Sequence, residues 1–332
     1  KVIRFIVIMS NTTQRNMKII IHPGYERTAT STLQDSLFGK HPGILSIGRP
    51  WNETTLNFVK ELRRNDLFYN KDLVTSYFEK LGINKNINKT VVLSDEAIFR
   101  ANYDKNGSPV SVKLHAQRVK EIFPNSQVLL TIRNQFTLIT GYYMSQGRIV
   151  NAPDPFYNRY ITIGSWLRWC LERWEFSILC HFDYWAVIKM YIELYGEENV
   201  HVLLYEEFAN DQENFLKKLS PILGINVEDA IELLCNQHQN KVWHKSKRQV
   251  TYAKLREKLF PLTTFSKYIP NKGGINNFLS NYLVKGKLVE KEQIPVELLD
   301  ELTDKYSNGN TMLRNFMIEK YNIDINKYDY PM

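Results

Sequence analysis

One cation and several hydroxyl groups follow a short apolar run near the beginning of the chain. Residues 19–21 are isoleucines that favour a buried strand, Gly24 favours a turn, and the apolar spacing from Leu33 onward indicates a helix. Backbone N–H groups at a helix start are unpaired and carry partial positive charge, so a loop in this place can bind an anion. Arg27 would add a full charge. The hydroxyl donors are Thr28, Thr30, Ser31 and Thr32. The segment therefore predicts a phosphate-binding loop.

The loop departs from the pattern of nucleoside triphosphate-binding loops, Gly-x-x-x-x-Gly-Lys-[Ser/Thr]. Gly24 occupies the first position, but Ala29 and Thr30 stand where that pattern needs glycine and lysine. A small-molecule kinase of the P-loop class is therefore the weaker hypothesis. The alternative without a ligand is the strand-to-helix turn of an ordinary doubly wound domain.

The segment resembles the 5′-phosphosulfate loop of the sulfotransferases, which transfer a sulfuryl group from 3′-phosphoadenosine 5′-phosphosulfate (PAPS). Bacterial members typically show His-x-Gly-x-x-Lys-Thr-Gly-Thr-Thr-Ser-Leu-Gln. The residues that fall on this pattern in register are His22, Gly24, Thr28, Thr30, Leu33 and Gln34. Arg27 stands where the family has its catalytic lysine, so the charge is kept on a planar fork. Ala29 stands where the family has glycine, and we expect residue 29 to keep φ below zero.

A second match lies at Gln127–Ile132, which has the pattern of a buried strand and ends at Arg133. An arginine at the carboxyl end of a parallel strand reaches the crevice where such sheets bind ligands, and its fork suits a terminal phosphate. In the sulfotransferase pattern this is the 3′-phosphate site, Arg-Asn-x-x-x-x-x-x-Ser. Gly141 replaces the serine, so one phosphate donor is missing, and Thr140 is the neighbouring hydroxyl that could substitute.

A third match is the predicted strand from Val200, which leads into Tyr205 and Glu206. A tyrosine at this place in the family lies near the adenine, and an aromatic side chain at a strand end can stack on a base. The alternative for Tyr205 is a tyrosine buried in the core. Residues 323–331 also resemble the terminus of many bacterial sulfotransferases, so the likeness runs from about residue 18 onward.

Two carboxylates, Asp95 and Glu96, follow the strand predicted at residues 90–94, at the same edge as the loop. Bacterial sulfotransferases often have a similar Ser-x-Glu, which makes Glu96 the first choice for the catalytic base and Asp95 the second. Two close carboxylates tend to raise the pKa of one of them toward neutrality. His22 is the competing base, although a lone histidine in an apolar setting is more often structural.

The chain has 332 residues, of which 43% are hydrophobic, and no linker-like segment divides it. We therefore predict an α/β protein with a P-loop-like, three-layer arrangement, in which helices flank a central parallel sheet. Residues 17–332 would form a single sulfotransferase domain, preceded by an extension over residues 1–16. Three cysteines without disulfide or metal-ligand spacing predict no bound metal and a cytoplasmic setting. The apolar start is too short to span a membrane.

Basic residues concentrate between residues 241 and 258, within a net charge of +8. Two or three of them are expected to face the donor's 3′-phosphate or an anionic glycan, and most would lie on a solvated helix face. The candidates are Lys245, Lys247 and Arg248. No basic face with interleaved aromatic residues and no binding motif indicates a nucleic acid.

The resemblance implies a PAPS-dependent enzyme that sulfates a hydroxyl of a carbohydrate or small-molecule acceptor and releases PAP, without a metal. Glu96 would deprotonate the acceptor, and Arg27 with the loop N–H groups would stabilise the departing phosphate. Two alternatives remain, a P-loop small-molecule kinase and a non-catalytic PAP- or PAPS-binding protein of the same fold. The departures at Arg27, Ala29 and Gly141 favour the second. No motif identifies the acceptor.

Overall fold

A five-stranded parallel sheet forms the centre of the structure, a computed structural model of the chain. The residues that it describes are 17–49, 52–81, 88–96, 111–146, 162–235, 248, 251 and 292–332. The strands are β1 (Ile19–His22), β2 (Ile44–Gly48), β3 (Thr90–Ser94), β4 (Gln127–Ile132) and β5 (Val200–Leu204). Their order in the sheet is β2-β3-β1-β4-β5, and every pairing is parallel. The predicted parallel α/β architecture is confirmed.

Helices connect the strands and continue toward the carboxyl terminus. They are α1 (Thr30–Thr32, continuing as a π-helix over Leu33–Phe38), α2 (Glu53–Leu62), α3 (Lys71–Lys80), α4 (Val112–Ile122), α5 (Gln135–Gln146), α6 (Ile163–Glu172), α7 (Tyr184–Tyr195), α8 (Tyr205–Asn210), α9 (Gln212–Leu223), α10 (Val227–Cys235) and α11 (Val296–Tyr321). Short 3₁₀ turns lie at Asp66–Phe68, Trp174–Phe176, Ile178–Phe182, Glu197–Asn199 and Ile325–Tyr328. Side chains of Asn52, Asn70 and Ser111 cap α2, α3 and α4, and Gly224 ends α9 in the left-handed region.

Both faces of the sheet are buried, which explains why its strands read as runs of isoleucine, valine and leucine. One face packs against α1, α9 and α10 through a cluster that includes Ile20, Val92 and Leu129. Residues of the opposite parity, such as Ile21 and Val91, are also fully buried. Parallel strands covered on both sides leave only their ends accessible, and ligands of such sheets bind at the carboxyl ends.

The chain forms two compact units. The first comprises Lys1–Asn102, Val110–Arg133 and Ala186–Gln239 and contains the whole sheet. The second comprises Tyr103–Pro109, Asn134–Trp185 and Asn240–Met332. Whether residues 17–332 act as one domain, with residues 1–16 as an extension, stays a prediction.

The second unit is helical in its described part and is organised around buried polar side chains. Asn310 on α11 accepts a hydrogen bond from Gln135 (2.7 Å) and donates one to the carbonyl of Pro331 (2.6 Å). Asn134 donates to the carbonyl of Tyr328 (3.1 Å), while its own side-chain oxygen caps α5. These bonds fasten the carboxyl-terminal segment to α5 and α11. No helix in the described parts of the chain is both long and apolar enough to cross a membrane.

Candidate functional site

The carboxyl edge of the sheet collects charged and aromatic side chains from all five strands. In sheet order they are Arg49 after β2, Glu96 after β3, Arg27 after β1, Arg133 after β4 and Tyr205 after β5. All five belong to the first compact unit. Four of these residues were predicted from the sequence, and Arg49 was not. The edge is therefore the candidate site.

The loop after β1 bends through three residues in the left-handed region of backbone space. The φ angles are 55° at Gly24, 69° at Arg27 and 63° at Ala29. The expectation that Ala29 keeps φ below zero is wrong, because Ala29 precedes the first turn of α1 in a conformation that glycine adopts without cost. Arg27 and Ala29 have positive φ and Thr28 between them does not, an alternation of the kind found in anion-binding nests. The backbone thus supports the predicted phosphate loop, with strain at two non-glycine residues.

The buried threonines Thr28 and Thr30 hold this loop together. Both hydroxyls donate to the carbonyl of Tyr25, at 2.7 Å and 2.8 Å. A hydroxyl has a single proton, so in this conformation neither side chain points a donor at a ligand. Ser31 differs from them, since it is exposed and its oxygen accepts a hydrogen bond from Arg49 (3.2 Å). Ser31 accepts in this bond, so its hydroxyl proton is not engaged by Arg49.

Arg133 connects the loop to the ends of β4 and β5. Its Nη1 donates to the carbonyl of Arg27 (2.9 Å), and its guanidinium carbon lies 4.3 Å from the centre of the Tyr205 ring. A cation over an aromatic face at this distance is attracted by the ring. Arg27 itself is half-buried, and burial lowers its pKa while the Glu96 carboxylate raises it. The residues predicted to bind the sulfate, the 3′-phosphate and the adenine are thus brought together in one contact network.

Glu96 packs over the turn at Gly24. A Cβ atom on Gly24 would lie 2.8 Å from Thr30 Cγ2 and 3.5 Å from Glu96 Cγ, so a larger residue at 24 would collide with the loop beneath the carboxylate. The pKa of Glu96 is raised to about 7, first by burial and then by the neighbouring Asp95, while Arg49 and Arg27 oppose the shift. The direction of this shift agrees with the sequence prediction, but its main cause is burial. A carboxyl group with a pKa near neutrality is suited to exchange protons at physiological pH.

His22 has the surroundings of a structural residue. It is fully buried, and burial lowers its pKa to about 4, so the ring is neutral at physiological pH. Its Nδ1 shares a hydrogen bond with Ser94 Oγ (2.8 Å), and its ring meets Phe38 edge-on at 5.5 Å. Nε2 has no hydrogen-bond partner among the described residues. These contacts favour a role in fixing the ends of β1 and β3, and the choice of Glu96 over His22 as the base stays a prediction.

Ser94, the last residue of β3, is the point where three elements meet. Gln34 of α1 donates from Nε2 to the carbonyl (3.1 Å) and to Oγ (2.9 Å) of Ser94. Gly48 is paired with Ser94 in the sheet, and a Cβ atom on Gly48 would lie only 2.0 Å from the same carbonyl oxygen. Only glycine fits such an approach, and Gly48 also has a φ of 133°. Sequence reasoning missed Gly48 and Arg49; the pair Gly-Arg after an apolar run was the available signal.

The remaining predicted residues belong to the second compact unit or lie outside the described residues. Gly141 is in α5, and the Thr140 hydroxyl donates to the carbonyl of Phe136 (2.8 Å) in its own helix, so it is not presented as a substitute phosphate donor. Lys245 and Lys247 lie outside the described residues. Arg248 is described and exposed. Within the described ranges, no group of three or more histidine, cysteine, aspartate or glutamate residues could hold a metal ion.

Solved structures similar to this chain include three sulfotransferases. The Alicyclobacillus acidocaldarius sulfotransferase is 18% identical over 82% of this chain and 97% of its own, with a TM-score of 0.45. Mouse sulfotransferase SULT7A1, solved in complex with PAP, is 17% identical over 80% of this chain and 88% of its own, with a TM-score of 0.38. The sulfotransferase domain from the curacin biosynthetic pathway is 14% identical over 84% of this chain and 99% of its own, with a TM-score of 0.41.

These modest scores leave the family assignment to the sequence itself. Comparison with curated protein sequences finds no significant match. The profile of one family, described as "Sulfotransferase domain", matches residues 19–308. That span begins at β1 and includes every strand of the sheet and the candidate site at its carboxyl edge. The chain belongs to the sulfotransferase family.

Proposed function

We propose that this protein transfers a sulfuryl group from PAPS to a hydroxyl of a carbohydrate or small-molecule acceptor. The observation that carries the proposal is the network around Arg133, which binds the carbonyl of Arg27 and stacks on Tyr205. A donor with a 5′-phosphosulfate, a 3′-phosphate and an adenine needs an anion-binding loop, a second cation and an aromatic face. The network supplies these three groups within one edge of the sheet.

Each residue of the network has a role in donor binding under this proposal. N–H groups of the left-handed loop and the Arg27 guanidinium hold the 5′-phosphosulfate. Arg133 binds the 3′-phosphate through its guanidinium, and Tyr205 lies next to the adenine. Ser31 contributes its hydroxyl, whereas Thr28 and Thr30 act through the shape of the loop that they hold.

The reaction is an in-line displacement at sulfur. Glu96 accepts the proton of the acceptor hydroxyl, the acceptor oxygen forms a bond to sulfur, and the bond between sulfur and the 5′-phosphate oxygen breaks. PAP leaves with the electron pair of that bond. Arg27 and the loop N–H groups stabilise the charge that develops on the departing phosphate, a contribution whose loss costs about a hundred- to a thousand-fold in rate. The products are a sulfate ester and PAP.

Thermal unfolding tests the donor assignment against the kinase alternative. Protein is heated with PAP, with ATP and magnesium, or in buffer, and PAP at about a hundred times its Kd should stabilise the protein by about 2.7 kcal/mol. Stabilisation by ATP with magnesium and not by PAP would contradict the proposal. Stabilisation by PAP without sulfation of any member of an acceptor panel would instead support a non-catalytic PAP-binding protein, the alternative favoured by Gly141 and by the engaged threonine hydroxyls.

Calorimetry of Arg133→Ala tests the position of the 3′-phosphate. A charged hydrogen bond contributes roughly 1.5 to 3 kcal/mol, so PAP should bind about ten- to a hundred-fold more weakly. Adenosine 5′-phosphosulfate lacks the 3′-phosphate and should lose less, although Arg133 also holds the loop. Arg64→Ala removes an arginine paired with Glu61 and serves as the control. Equal losses for both ligands would reject this role for Arg133.

A further inference from the structure

The strand order separates the donor groups from the base along the sheet edge. The residues assigned to the donor follow β1, β4 and β5, which are neighbours on one side of the sheet. Glu96 follows β3, and β2 lies beyond β3 on the side away from β4. An acceptor whose hydroxyl reaches Glu96 with the donor occupying the β1 side has the end of β2 beside it along the sheet edge. The residue found there is Arg49.

Arg49 is held close to the base by the backbone beneath it. Gly48 and Ser94 are paired, so Arg49 and Glu96 leave adjacent strands one and two residues beyond this pair, and adjacent strands lie about 5 Å apart. The contact between Gly48 and the Ser94 carbonyl allows no Cβ atom at residue 48, which fixes the separation of the two strands at this point. The base and the arginine are therefore presented at a defined spacing.

The guanidinium of Arg49 is only weakly engaged by the residues that the structure describes. Nη1 donates to Ser31 Oγ (3.2 Å), and Nε lies 4.0 Å from Asp35 Oδ1, too far for a hydrogen bond. The side chain is 49% exposed. An arginine carries five N–H donors, so this one retains donors for a further partner. Its charge also reaches Glu96, whose pKa it lowers more than Arg27 does.

We propose that Arg49 is a specificity-determining residue that binds an anionic group of the acceptor, a carboxylate, sulfate or phosphate lying within a few bonds of the hydroxyl that is sulfated. This inference rests on the proposed function and narrows it to anionic acceptors. A planar guanidinium matches the two oxygens of such groups, and a half-exposed site loses less to desolvation than a buried one. The competing assignment, in which Arg49 serves the donor through Ser31, predicts a different pattern of losses.

Calorimetry on protein saturated with PAP tests the inference with three matched pairs of probes. They are methyl glucuronide and methyl glucoside, glucosamine N-sulfate and N-acetylglucosamine, and glucose 6-phosphate and glucose. The parent should bind the charged member of at least one pair about ten-fold more tightly, as expected for one charged hydrogen-bonded contact. The pair that responds identifies the anion.

Variants at residue 49 then test whether Arg49 causes the preference for the charged probe. Arg49→Gln should abolish it, Arg49→Lys should keep part of it, and Arg64→Gln, which removes the same charge elsewhere in the first unit, should leave it intact. PAP affinity should stay within about three-fold of the parent in all three variants. The same loss should be seen in a Glu96→Gln background, because Arg49 then has no carboxylate at 96 through which to act.

Three outcomes would overturn the inference. They are a parent that shows no preference in any pair, a preference that survives in Arg49→Gln, and a ten-fold loss of PAP affinity in Arg49→Gln, which would place Arg49 in the donor site. Failure of the parent to bind PAP would instead reject the proposed function, so the two failures are distinguishable.

Discussion

The two halves of the sheet edge are built in different ways. In the half proposed for the donor, at the ends of β1, β4 and β5, one side chain links the elements, because Arg133 donates to the backbone carbonyl of Arg27 and stacks on the Tyr205 ring. In the half proposed for the acceptor, at the ends of β3 and β2, a single backbone carbonyl organises the site. The Ser94 carbonyl accepts a hydrogen bond from Gln34 and lies 2.0 Å from where a Cβ atom of residue 48 would be. Under the proposed function, donor recognition would depend on the contacts of a few side chains, whereas the position of Glu96 depends on how closely two strands approach.

Glu96→Gln should produce the largest effect and should separate the two halves most clearly. The amide preserves the shape of the side chain but cannot take a proton, so turnover of any acceptor that the parent sulfates should fall by about a hundred- to ten-thousand-fold. PAP affinity should stay within about three-fold. Transfer of labelled sulfate and calorimetry with PAP measure the two quantities. An equally large loss of PAP affinity in Glu96→Gln would contradict the separation of the two halves. If Glu96→Gln keeps full activity and His22→Asn is inactive, His22 is the base.

The pH dependence of the stability of Glu96→Gln tests whether the pKa of Glu96 is raised in the folded protein. Glu96 has a pKa of about 7 in the folded protein and an ordinary value of 4.5, so the folded state holds its proton more tightly than the unfolded state. The stability contribution of the protonated group is lost as pH rises through this window. Glu96→Gln should therefore gain stability relative to the parent between about pH 4.5 and 7, measured by urea unfolding, and parent turnover should rise through about pH 7. A constant stability difference would contradict the raised pKa.

Arg27→Ala should have the next largest effect, and Arg27 lies in the half of the edge proposed for the donor. If the charge acts on the leaving phosphate, kcat should fall by about a hundred- to a thousand-fold while PAP affinity falls much less, because only contacts that strengthen in the transition state raise the rate. Arg27→Lys should retain much of the activity, since it keeps the cation. Steady-state kinetics with PAPS measures both. Near-normal turnover in the alanine variant would remove Arg27 from the mechanism.

Gly48→Ala tests the acceptor half through its backbone. The new Cβ atom would overlap the Ser94 carbonyl, and the φ of 133° is unfavourable for alanine, so the free energy of unfolding should fall by about 3 kcal/mol. Gly224→Ala is the control, because Gly224 also has a positive φ but its added Cβ atom would approach no atom closer than 3.5 Å. That variant should lose about 1 kcal/mol. Equal losses in urea unfolding would mean that the close approach is not what fixes β2.

Ala29→Gly should have the smallest effect, and unlike Gly48→Ala it should raise the free energy of unfolding. Glycine removes the strain of the left-handed conformation at residue 29, so stability should rise by roughly 0.5 to 1 kcal/mol. Ala209→Gly in α8, at an exposed helical position, should lower stability by a similar amount. Urea unfolding measures both variants. A loss of stability in Ala29→Gly would show that the alanine side chain makes a contact that outweighs its strain.

Much of the sheet could be predicted from the sequence because its strands are apolar runs bounded by clear signals. The strands at 90–94 and 127–132 have the predicted bounds, and the helical spacing predicted from Leu33 onward lies in α1. The residues proposed for the donor were identified from residue types at strand ends together with the resemblance to sulfotransferase motifs. In contrast, β2 (Ile44–Gly48) was not predicted, because Ile-Leu-Ser-Ile-Gly is short and lies between turn residues, so its period is not distinctive.

The unpredicted parts of the site depend on contacts between residues that are distant in sequence. Nothing in the sequence shows that the Ser94 carbonyl occupies the place of a Cβ atom at Gly48, or that Thr28 and Thr30 both use their protons on Tyr25. The φ of Ala29 is decided by the closure of the loop, against the intrinsic preference of alanine. Local patterns identify the groups, whereas their hydrogen-bond partners come from the fold.

The close approach at Gly48 has a consequence for changing the substrate range of this enzyme. Residue 48 tolerates no side chain, whereas residue 49 projects a half-exposed side chain from the same rigid point. A library confined to position 49 would thus vary charge and size beside Glu96 without moving Glu96. We expect acidic replacements there to favour amine-bearing acceptors and small neutral ones to admit uncharged sugars, each judged by its relative kcat/KM.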